Sequence, residues 1–137
     1  MVQMGEKAVD GITAGLINLD ETVTWQAKHF FKNRTFKTRI TAMKLYSFFE
    51  DTMEEGDFKS VRHEHHFKPI VNGTIMIDLF HFETPYGKFG SFINAVVLKR
   101  YLRKLLENRN NIIKQFAEGE KWKLLLKHST AATVPAY

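Results

Sequence analysis

The sequence predicts an α+β fold in which a curved antiparallel sheet of about five strands wraps around one long C-terminal helix. Three observations lead there. Apolar and polar residues alternate with period two in successive stretches between positions 16 and 83, and turn-forming residues separate those stretches at short intervals. From 92 to 118 the apolar spacing switches to three and four. A chain of 137 residues with 44% apolar content and twelve Phe suffices for one domain with its own hydrophobic core.

The first strand lies within LINLDETVTWQAKHFF (16–31), where Val23, Trp25, Ala27 and His29 fall on one side and Thr22, Thr24, Gln26 and Lys28 on the other. Lys-Asn-Arg at 32–34 reads as a tight turn. The second strand, TFKTRITAMKLY (35–46), sets Phe36, Thr38, Ile40 and Ala42 against Thr35, Lys37, Arg39 and Thr41. FFEDTM forms the third, ending in Glu-Glu-Gly-Asp, where Gly56 is free to take a positive φ. FKSVRHEHHFK is the fourth, and Asn72-Gly73 is a hairpin signal leading into TIMIDLFHFE (74–83) as the fifth. Pro85, Gly87 and Gly90 then break the sheet, and Ser91 is positioned to cap the helix. In that helix Leu98, Leu102, Leu105, Ile112 and Phe116, with Ala95 before them, make the apolar stripe. Its 27 residues give a rod of about 40 Å, enough to cross a sheet. Such a pair of elements must enclose space, which twelve Phe either fill or line.

Composition excludes several chemistries. Without cysteine there is no disulfide and no thiolate nucleophile, which fits a reducing compartment. The first eleven residues contain no apolar segment of the signal-peptide kind, and no run approaches the roughly 18 apolar residues of a membrane span. The expected setting is the cytoplasm. The net charge of +5 concentrates between Leu98 and His128, where nine Lys or Arg face three Glu. This run reads as the solvated face of the helix. Nucleic-acid binding is not expected, because neither an RNP-like aromatic motif nor a helix-turn-helix accompanies it. There is no phosphate-cradling loop, since GKFGS lacks the Lys-Thr ending.

The segments GLINLDETVTWQAKHF, DTMEEGDFKSVRHEHHF, GTIMIDLFHFETPYGKFG and LKRYLRKLLENRNNIIKQFAE resemble the START-like SRPBCC superfamily, within it a bacterial branch of polyketide cyclase/dehydrase-like or ligand-binding proteins. The resemblance covers residues 5–118 and makes 1–118 the ligand-binding domain and 119–137 a C-terminal tail. It implies a helix-grip fold with an apolar cavity between sheet and helix, a small hydrophobic or aromatic ligand, and no cofactor. Some relatives catalyse cyclisation or dehydration there. It also implies a departure: family members carry, before the GEKAVDG segment, a further strand and two short helices, of which this chain lacks the strand and the first helix. The first strand would then expose an edge, open to a second copy of the chain.

The stretch VRHEHHFKP (61–69) holds half of the six histidines. Strand alternation splits it, with His63, His65 and Phe67 on the cavity side and Arg62, Glu64 and His66 on the other. Trp25, Ala27 and His29, Asp51 and Met53, and Met76, Asp78 and Phe80 join the cavity side. The candidate ligand-binding set is Trp25, Asp51, Met53, His63, His65, Phe67, Met76, Asp78, Phe80 and, from the helix, Leu102 and Leu105. Within it, His63 or His65 with Asp78 is the candidate acid–base pair, because imidazole titrates near neutrality and a carboxylate can orient it. The plainer alternative is that the carboxylates only satisfy buried imidazoles. No metal is expected. A cupin-like pair needs a Glu three or four residues after the second His, and Lys68 and Pro69 stand there.

Overall fold

A computed structural model describes residues 6–13, 15–29, 32–85, 91–120 and 122–123. Six strands form one antiparallel sheet: β1 (Glu6–Gly11), β2 (Thr22–His29), β3 (Lys32–Lys44), β4 (Phe48–Glu55), β5 (Ser60–Ile70) and β6 (Gly73–Glu83). Their order in space is their order in sequence, β1 to β6. One helix, α1 (Ser91–Glu118), follows. The strands and the helix fall into separate compact units.

The sheet has one strand more than expected. Glu6–Gly11 pairs with β2, from Glu6 opposite Ala27 to Gly11 opposite Val23. The expectation of an open edge beside Thr22–His29 is therefore corrected, since β1 covers that edge; the further strand that the resemblance places before GEKAVDG is a different element. Six residues with one irregularity, between Ala8 and Asp10, are too few to sustain a period-two pattern in the sequence. Gly11 is required where it stands. Its φ is 75°, and a Cβ would come 2.1 Å from the carbonyl oxygen of Thr22. Among the described residues no helix separates β1 from β2.

Three further expectations change. Lys-Asn-Arg is not a turn but the start of β3, since Lys32, Asn33 and Arg34 pair with His29, Lys28 and Ala27. The connection falls at 30–31, outside the described residues. Gly56 does not take a positive φ. Its lack of a side chain serves close approach instead, for a Cβ there would meet Sδ of Met53 at 2.4 Å and Cβ of Phe36 at 3.2 Å. A bulge between Ile40 and Ala42 ends the simple alternation of β3: Ile40 pairs with Asp51, whereas Ala42 pairs with Glu50, and Ala42 leaves the Ile40 face. The β5–β6 hairpin closes through Val71 and Asn72, with Gly73 opening β6 opposite Ile70.

Register sorts the strands onto two faces. Val23, Ala27 and Ile40 are buried on one of them. The other carries charge ladders: Glu54 bonds Arg39 and Lys37, and Arg62 lies between Glu50 and Glu64. Along α1, Leu102 is buried, Leu98, Leu105, Ile112 and Phe116 are half-buried, and Lys99, Arg100, Arg103 and Lys104 are exposed. The side chains of His29 and Ala95 lie outside the described residues, as does the tail beyond 123. Among the described residues no helix is long and apolar enough to cross a membrane.

Candidate functional site

The site grows from the register of three consecutive strands. On β5, His63 and His65 are two apart and so project from the same face. Asp51 of β4 pairs directly with His63, and Asp78 of β6 pairs directly with His65. In an antiparallel sheet each residue also meets its diagonal neighbour when the side chains are long enough. Each imidazole therefore has one carboxylate opposite and the other on the diagonal.

The distances follow that geometry. His65 Nε2 is 3.0 Å from Asp51 Oδ2, and its Nδ1 is 3.0 Å from Asp78 Oδ1. His63 Nε2 is 3.5 Å from Asp78 Oδ1, and its Nδ1 is 4.0 Å from Asp51 Oδ2. The two rings lie 3.9 Å apart by centroid. Phe49 stacks on His65 at 4.0 Å, and Phe80 meets His63 edge-on at 5.1 Å. Both histidine side chains are 3% exposed and Asp78 is 6% exposed; Asp51, at 18%, is the most open of the four. Two carboxylates and two imidazoles thus share a largely buried space that reaches solvent at Asp51, where separated charges are costly unless paired.

Hydrogen counting restricts the cluster further. An ionised carboxylate only accepts, and a neutral imidazole has one N–H to give. His65 presents both ring nitrogens to carboxylate oxygens at bonding distance. Satisfying both contacts takes a second proton on the ring, a proton on a carboxyl, or another cation between ring and carboxylate.

The expected site residues fall as follows. Register sets Trp25, Ala27, Ile40, Asp51, Met53, His63, His65, Phe67, Met76, Asp78 and Phe80 on one face of the sheet. Asp51, His63, His65 and Asp78 come into mutual contact there. Trp25 stands two strands away from β4, its Nε1 donating to Thr38 Oγ1 at 3.3 Å and its ring stacked with Phe36 at 6.4 Å. Leu102 and Leu105 belong to α1 and are described with it. Phe49 was missed, although it abuts both His65 and Phe67. Its position two before Asp51 was the available signal. Glu64 and His66 project from the opposite face and bond each other at 3.0 Å. That bond, with Arg62 and His81 near by, holds the Glu64 carboxyl below the usual range. A groove of about 330 Å³ includes Thr22, Lys37 and Arg39 of that opposite face and none of the four clustered groups.

No protein-family model matches the chain, and no curated protein matches it. Among solved structures it is similar to one described as the crystal structure of Ara h 8.0201, with a TM-score of 0.50 and 12% identity, over 74% of this chain and 68% of that one. Likeness at that identity is a likeness of fold. Six antiparallel strands followed by one C-terminal helix match a Bet v 1-like helix-grip fold.

Proposed function

We propose that the protein binds a small apolar or aromatic molecule on the sheet face that carries His63 and His65. The observation that supports this most is the composition of that face: aromatic and thioether side chains, Trp25, Met53, Phe67, Met76 and Phe80, surround a single buried polar cluster. Small-molecule sites usually combine an apolar lining with a few convergent polar groups, and this face has both. The apolar residues supply contact area, while Asp51 and the histidines fix the orientation of a polar substituent. The fold is one that can carry such a role, and the site chemistry rather than the fold is what supports it.

Cyclase or dehydratase chemistry is the alternative, with His63 or His65 and Asp78 as the acid–base pair. A catalytic base needs a ring nitrogen within reach of substrate. In His65 both nitrogens already face carboxylates, which favours binding over proton transfer by that residue. A dimerisation role through a sheet edge now concerns the outer sides of β1 and β6, because β1 covers β2.

Native mass spectrometry of the chain purified from its own host, followed by titration with a fluorescent apolar probe, tests the proposal. The expected result is a co-purifying small molecule, and probe binding that Phe67→Ala weakens. A bare polypeptide mass with no saturable probe binding would refute it.

A further inference from the structure

We infer that Asp51, His63 and His65 form a binding site for one divalent first-row transition ion, with Asp78 holding both imidazoles in the ligating orientation. The inference goes beyond organic-ligand binding and does not depend on it.

The donor atoms converge. One oxygen of Asp51 and one nitrogen from each histidine all lie within 4.8 Å of one another. The separations from Asp51 Oδ2 are 3.0 Å to His65 Nε2 and 4.0 Å to His63 Nδ1. Zinc–ligand bonds of about 2.0–2.2 Å place neighbouring donors roughly 3.3–3.5 Å apart, so closing onto an ion takes side-chain shifts of about 1 Å or less.

Asp78 gives the site its asymmetry. Its Oδ1 lies 3.0 Å from His65 Nδ1 and 3.5 Å from His63 Nε2, the two nitrogens that point away from Asp51. Metal-ligating histidines almost always donate their other N–H to a carboxylate, carbonyl or water, which fixes the tautomer. Here one carboxylate oxygen lies near both rings and is placed for that role. If each ring turns its N–H to Asp78 on closing round an ion, the lone pairs of His63 Nδ1 and His65 Nε2 face the anionic Asp51. In that tautomer a cation between the three electron-rich atoms offsets their mutual repulsion. A divalent ion also balances charge, because two carboxylates and two neutral imidazoles carry two negative charges.

Two nitrogen donors out of three favour a zinc- or iron-class ion over Ca²⁺ or Mg²⁺, which take oxygen. Three protein ligands leave a coordination position open, as in metal sites that accept water or a substrate group. Asp51, the most exposed of the four, marks the side from which the ion arrives. A cupin-like spacing would set the carboxylate downstream of the histidine pair; here it comes from the strand alongside.

Tag-free protein stripped with a chelator and dialysed against Zn²⁺ provides the test, with metal content read by mass spectrometry. The expected uptake is about one equivalent. Asp51→Asn and His65→Ala should each weaken it by more than about 100-fold, and Asp78→Asn by roughly 10–100-fold as an orienting group. His66→Ala and His81→Ala, on the opposite face, should leave it unchanged. Should a ligand variant fail to fold, wild-type NMR still decides: Zn²⁺ should shift the ring signals of His63 and His65 and spare those of His66 and His81. Uptake that follows His66 or His81 would overturn the inference. So would a wild-type chain that takes up no Zn²⁺, which would leave the cluster held together by protons alone.

Discussion

Asp78→Leu removes an almost fully enclosed carboxylate while keeping its branched skeleton, with two bulkier methyls in place of the oxygens, and the cost of the lost polar contacts can be worked from the distances. Asp78 Oδ1 faces His65 Nδ1 at 3.0 Å and His63 Nε2 at 3.5 Å. A buried donor left without its acceptor costs about 1–3 kcal/mol, and the longer contact belongs at the low end of that range. The sum is about 2–4 kcal/mol. At roughly 3–4 °C per kcal/mol for a chain of this size, the melting temperature should fall by about 6–16 °C. Asp78→Asn keeps one amide oxygen as acceptor and should lose about half as much. Urea unfolding in the presence of chelator, followed by Trp25 fluorescence in a Trp122→Phe background, gives the midpoint shift at constant slope. Asp57→Asn, which breaks an exposed pair with Arg34, is the control and should change stability by less than about 1 kcal/mol. If Asp78→Leu is within about 0.5 kcal/mol of wild type, the imidazoles do not depend on Asp78 and the reasoning fails.

Two other outcomes are expected. Gly11→Ala should destabilise by more than about 2 kcal/mol, since it combines a positive φ with a clash against backbone; an unchanged urea midpoint would show that β1 contributes little. Glu64, held below the ordinary carboxylate value chiefly by its bond to His66, contributes stability that is present above that ordinary value. The contribution disappears as pH falls through the folded-state value. An NMR titration should find the Glu64 midpoint depressed, and His66→Ala should raise it; a midpoint indifferent to His66 contradicts the assignment.

Much of the sheet was legible because period-two patterning is strong where one face is buried. The division of VRHEHHFKP into His63 and His65 against Glu64 and His66 follows from pleat geometry alone. What sequence spacing cannot express is distance along the hydrogen-bonding direction. Asp51 and His63 are twelve residues apart yet directly paired, so the ligand set was invisible to a search along one strand. The bulge at Ile40–Ala42 was equally hidden, because an inserted residue leaves composition intact while reversing every later side chain. Phe49 differs: its place two before Asp51 set it on the same face, but one Phe among twelve is not singled out by composition until its neighbour His65 is known.

The next-neighbour strand order has a consequence in time. Every pairing in the sheet joins consecutive strands, so each closes a short loop, and short loops cost little chain entropy. The four groups of the cluster come from β4, β5 and β6 alone, with each carboxylate arriving by one hairpin. On this topology the polar centre requires only the meander from Phe48 to Glu83, and its assembly does not wait for β1. Folding that starts at the β5–β6 hairpin would bring His65 to Asp78 first and add Asp51 when β4 docks.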